Sequence, residues 1–134
     1  IGIPSGVFSS EVIPENVEGY FKQDISKELA IEALNATENF FIGKGYKSNS
    51  DGPSLQEYLN YLNNNELSNL IIDQFESSKT QVNQLENNFV FQINNNNTQM
   101  LLAYDAIQML VVYFKVDMLQ TISIAVDYQD ADGD

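Results

Sequence analysis

LLAYDAIQMLVVYFKVDMLQ, residues 101–120, runs into TISIAVDY (121–128) and then QDADGD (129–134). The first segment is apolar nearly all round at helical spacing, the second alternates with period two, and the third is rich in carboxylates. A helix apolar on every face belongs inside a bundle, so the core is expected to form around residues 98–120. From Thr121, Ile122, Ile124, Val126 and Tyr128 alternate with Ser123, Ala125, Asp127 and Gln129. That is the pattern of a short extended piece; its partner is either the stretch around residues 1–7 or nothing visible in the chain. Residues 101–126 are long enough to span a bilayer, but Asp105, Lys115 and Asp117 interrupt them. Charges at such depths cost several kcal/mol, so a buried helix of a soluble bundle is expected, with no transmembrane segment.

Upstream, Leu67, Leu70, Ile71, Phe75, Ser78, Val82, Leu85, Phe89 and Ile93 recur at three- and four-residue steps. They read as one helical stripe of about seven turns over residues 66–93. The Asn94 to Asn97 run is expected to break it, with Asn97 or Thr98 capping the next helix in an antiparallel hairpin. Ser54-Leu55-Gln56-Glu57 is a capping box that opens a helix over 54–63. Leu29, Ala33, Leu34, Phe40 and Phe41 mark a helix over 26–42 that stops at Gly43. Residues 1–16 hold two of the three prolines and read as an extended lead-in, after which Asn16 caps a short helix through Val17, Tyr20 and Phe21. The fold class is all-α: one antiparallel helical bundle over 1–134, with a short extended C-terminal tail. No internal repeat is visible.

Composition narrows the chemistry. The formal net charge is -13, and every basic residue is Lys. Such a field repels nucleic acid and anionic lipid, so neither is an expected partner. Apolar residues make up 43% of the chain, too many for a disordered acidic segment. His and Cys are both absent. That removes Ser-His-Asp triads, zinc sites of the usual kind and haem held by His or Cys. Oxygen-only calcium or magnesium sites remain open.

Asp130, Asp132 and Asp134 alternate like the start of an EF-hand loop, with Asp127 close by, but no bidentate Glu follows. A solvated acidic terminus is expected. Glu15/Glu18, Glu28/Glu32 and Asp73/Glu76 share helix faces, and in so acidic a chain they read as solvated pairs. Gly43-Lys44-Gly45 lacks the order of a phosphate loop, although Lys44 and Lys47 form a basic spot. Asn35-Ala36-Thr37 and Asn96-Asn97-Thr98 fit the glycosylation acceptor pattern. Tyr104, Asp105, Gln108, Lys115, Asp117 and Gln120 lie on the apolar helix. They form either a satisfied internal network, such as Lys115 with a neighbouring carboxylate, or a stripe that faces another polypeptide. The second reading is preferred, because four helices cannot easily surround so apolar a helix.

The stretch VVYFKVDMLQTISIAVDYQDADGD (111–134) resembles the end of an imelysin-like protein of the peptidase M75 grouping. IGIPSGVFSSEVIPENVEGYF, SKELAIEALNATENFF, DGPSLQEYLNYL and IIDQFESSKTQVNQLENNF agree with it in matching order, so the likeness covers essentially the whole chain. It is closest in type to Bacteroidetes envelope lipoproteins. The resemblance implies one half, the C-terminal one, of an all-α fold of two bundles related by a pseudo-twofold. It implies a periplasmic or outer-membrane-attached place in the cell envelope, although no signal peptide is read in this chain. It also implies a metallopeptidase classification or a role in iron or haem uptake. The family's Gly-x-His-x-x-Glu motif belongs to the N-terminal half, and no residue here can carry it. No residue is therefore assigned as catalytic, cofactor-binding or metal-ligating, and any metal ion is expected on the other half. The expected partners are that N-terminal half and other envelope iron-uptake proteins. A fragment of a metallopeptidase and a free-standing acidic binding bundle remain the alternatives.

Overall fold

The computed structural model describes residues 1–22, 24–47 and 51–125. Its elements are α1 (Ser26–Phe41), α2 (Leu55–Tyr61), α3 (Asn65–Asn83) and α4 (Phe89–Val112). A π-helical segment, Tyr113–Met118, and a last turn, α5 (Leu119–Thr121), continue α4. The helix from Phe89 to Thr121 is thus 33 residues long, and by length and composition it could cross a membrane. No strand occurs among the described residues; Lys44 and Asp51 form an isolated bridge. The chain is an all-α helical bundle.

α3 is the central helix. Leu67, Ser68, Ile71, Phe75, Ser78 and Val82 are all buried along it. α1 runs antiparallel to it: Lys27 meets the carbonyl of Leu85 at 2.8 Å near one end, and Glu38 meets Lys79 at 3.0 Å near the other. α4 is antiparallel to α3 on another flank. Gln74 and Ser78 both donate to the Ala106 carbonyl, at 2.7 and 3.0 Å. α1 and α4 therefore run parallel to each other. Phe41, Phe75 and Phe114, one from each of α1, α3 and the π segment, interlock with ring centroids 5.6 to 6.4 Å apart. Such pairs add roughly 0.5–1.5 kcal/mol each beyond the area they bury. Leu59 of α2 is fully buried, which docks that short helix on the bundle.

The helix ends follow local chemistry. The Ser54 hydroxyl accepts from the Glu57 amide at 3.0 Å, as the capping box requires. α1 closes with a Schellman motif: Lys44 N–H donates to Asn39 O, and Gly43 N–H to Phe40 O. Gly43 has φ +75, and a Cβ there would lie 2.4 Å from the Gly52 carbonyl oxygen. Gly43-Lys44-Gly45 is thus a helix terminus closed by the return of Gly52, which explains the glycine without any phosphate. Asn63 (φ 60) and Ser123 (φ 57) take the same left-handed place after α2 and α5.

Four expectations are corrected. First, the chain reverses at residues 84–88, about ten residues earlier than the Asn run suggested. Asn88 caps the new helix by accepting from Phe91 N–H at 3.0 Å. Buried Gln92 accepts from Glu86 N–H at 2.8 Å and donates to Asn96 O at 2.7 Å. The Asn run instead leaves a kink at Asn96 (φ -151, ψ 71), where its side chain caps the continuing helix through Gln99 N–H. The stripe survived the misplaced boundary: Leu85, Phe89 and Ile93 are all buried.

Second, Thr121 to Ile124 closes the helix. Ile124 N–H donates to Leu119 O, so nothing before Ile124 is extended; Val126 and Tyr128 lie outside the described residues. Third, residues 1–7 wind in successive turns rather than extend. Ser5 N–H donates to Ile1 O and Val7 N–H to Gly2 O, while the Ser5 hydroxyl also takes the Gly2 carbonyl. Fourth, Asn16 ends a 3-10 turn, Pro14–Asn16, instead of starting a helix. Proline suits that first position because its fixed φ and missing N–H cost nothing there. Val17 is buried, whereas Phe21 is almost fully exposed.

Candidate functional site

The long helix expected at the bundle centre is not enclosed. Only 17% of its most apolar 18-residue window is buried. The reason is geometric: α3 covers one face closely, and α1 stands off across a groove. Leu102, Met109 and Val116 are 41 to 52% exposed. Asp105, Gln108, Lys115 and Gln120 are exposed, with Tyr104 and Asp117 half-buried. They are the polar members of a helix surface that is otherwise apolar.

A groove runs between α1 and α4. Its main chamber encloses about 670 Å³ and is lined mostly by apolar side chains, among them Leu29 and Leu34 of α1 and Ile93, Met100 and Ile107 of α4. A second chamber of about 260 Å³ continues it past Leu34, Thr37 and Ile107 to Phe75, Phe114 and Lys115. The lead-in roofs the other end. Asn97 donates to Ser5 O at 2.9 Å and pins the lead-in to the kinked part of α4. Phe8 stacks edge-on against Tyr104 at 6.1 Å. Gly2 makes this roof possible, since a Cβ there would stand 2.6 Å from the Tyr104 ring. Ser26 closes the floor near the mouth, its hydroxyl donating to Glu18 O at 2.8 Å.

Apolar walls with a few polar groups at the rim suit an apolar side-chain cluster or ligand. Among the described residues no group of three or more His, Cys, Asp or Glu side chains could hold a metal ion. Asp127, Asp130, Asp132 and Asp134 lie outside the described residues. Both members of Glu15/Glu18, Glu28/Glu32 and Asp73/Glu76 are exposed. Glu76 forms an ion pair with Lys79 at 2.6 Å.

Lys79 joins Glu38 and Glu76 in an ion cluster, with Lys79 and Glu38 each only 17% exposed. Burial alone would lower the Lys79 pKa. Hydrogen bonds from its ammonium to Glu76 and Glu38 outweigh that and hold it above the usual lysine value. The cluster ties α1 to α3 and does not touch the groove lining.

Sequence reasoning missed the groove. Its signal was available only as small residues, Ala30, Ala33 and Thr37, facing the chamber from α1. No family model, curated protein or solved structure matches the chain.

Proposed function

We propose that the chain is the C-terminal, non-catalytic half of an imelysin-like cell-envelope protein, connected with iron or haem uptake. In this reading the groove-bearing side of α1 and α4 forms one wall of a cleft, and a companion N-terminal bundle supplies the other wall and any metal. The half-exposed state of the 33-residue helix supports it: so much uncovered apolar surface marks an interaction face. The companion and the periplasmic or outer-membrane-attached location are carried over from the sequence resemblance alone.

The test is twofold. Incubated with zinc or iron and an unfolded protein substrate, the chain is expected to give no cleavage; metal-dependent proteolysis would overturn the non-catalytic assignment and favour a metallopeptidase. The isolated chain is also expected to enhance the fluorescence of a hydrophobic dye. A chain that binds no dye would instead support a free-standing acidic bundle.

A further inference from the structure

The flank of α4 turned away from the groove carries a different pattern. Leu102, Met109 and Val116 stand seven residues apart, each 41 to 52% exposed. Groove residues Met100, Tyr104, Ile107 and Val111 lie on the other side; at 3.6 residues per turn, Leu102 and Met109 point roughly opposite to them. A helix-accepting seam places apolar residues at two positions of each heptad: Leu102, Met109 and, in the π-helical segment, Val116 fill one, and the half-buried Ala106 and Tyr113 stand at the other. Asp105 is exposed between the first two seam positions. Beyond Val116 the seam runs into a polar pocket of about 270 Å³ lined by Glu66, Leu70, Asp117 and Gln120, among others. Glu66 and Asp117 both line that pocket, and neither forms an ion pair among the described residues. No lysine lines that pocket; Lys115 borders the groove chamber instead.

We infer that this flank docks an amphipathic helix of another protein. That helix has apolar residues at heptad spacing, basic residues beside them, and one Lys or Arg that enters between Glu66 and Asp117. Charge complementarity selects this occupant. A second copy of the chain also carries -13, so like charge opposes it, and no lysine of this chain lines the pocket among the described residues. The inference does not rest on the imelysin-like reading, because the seam and the groove are separate faces.

The probes are three synthetic three-heptad peptides: Leu at a and d with Lys at e and g; the same stripe with Glu at e and g; and the Lys peptide with its Leu positions scrambled. Titrated calorimetrically against the whole chain in about 150 mM NaCl, the striped Lys peptide is expected to bind at least about tenfold tighter than either of the others. Met109→Glu is expected to weaken it by about tenfold or more, and the Glu66→Gln/Asp117→Asn pair by about three- to tenfold, with melting temperatures kept. Because all three sites are at the surface or pocket rim, the carboxamide pair serves as a second arm should Met109→Glu fold poorly. Equal binding of the scrambled peptide, or binding indifferent to both variants, would overturn the inference. So would sedimentation showing a dimer that Met109→Glu dissolves, since the occupant would then be a second copy.

Discussion

Gln92 is 3% exposed and uses both ends of its amide, on Glu86 N–H and Asn96 O. It thereby fixes the reversal before α4 and the kink within it. Gln92→Leu keeps the volume but strands two backbone groups, so a loss of about 2 kcal/mol is expected in urea unfolding. An unchanged midpoint would mean that water replaces the amide. Gly43→Ala meets the Gly52 carbonyl oxygen in a left-handed backbone, and a loss of more than about 1 kcal/mol is expected. Lys79→Met removes both ion pairs and leaves Glu38 without its partner; about 1 kcal/mol is expected. Its pH dependence has a definite sign. The folded-state pKa of Lys79 lies above the ordinary 10.5, so its contribution is complete below that value and disappears as pH rises through the raised one. The gap in melting temperature between wild type and Lys79→Met should stay constant from neutral pH to about 10 and shrink beyond it.

At the scale of elements, periodicity reported side-chain direction faithfully and chain direction poorly. The stripe from Leu67 to Ile93 was legible residue by residue, apart from Leu70, which is 42% exposed. Its helix boundary was not, because a tight reversal preserves the three-to-four step across residues 84–88. What placed that reversal was tertiary: Lys27 reaching the Leu85 carbonyl from α1, and Gln92 reaching back. Local signals worked where the chemistry is local, at Ser54 and Gly43; the Asn88 cap was not read. The final helix reads as apolar on every face, and the preference for a stripe that four helices cannot surround agrees with its exposure, whereas the expectation of a buried central helix does not; enclosure depends on how many neighbours the fold supplies. The groove was illegible for the same reason, as it lies between helices that are remote in sequence. Deleting the kink sharpens the point. Asn96→Ala removes the cap on Gln99 and favours a straight helix; this should loosen the roof held by Asn97 and Ser5. Faster amide exchange over residues 2–7, with α3 unchanged, is the expected signature.

Over the whole molecule, a charge of -13 with no arginine opposes compaction, so raising NaCl from about 10 to 150 mM should raise the melting temperature by a few degrees. The same field shapes encounters: it favours basic partners at the acidic end of α4. α3 is satisfied on its flanks, α1 and α2 complete the core with it, and α4 is left with one face packed and two uncovered. That asymmetry is the physical basis for treating the chain as one side of a larger assembly. The three methionines offer an internal gauge, for all lie on the same helix. Met100 and Met118 are 0% and 6% exposed, and Met109 is 41% exposed. Mild peroxide oxidation followed by peptide mass spectrometry reads each one separately. On the isolated chain, Met109 is expected to form sulfoxide about tenfold faster than Met100 and Met118. Equal protection of all three would put α4 at the centre of a closed bundle and contradict the account.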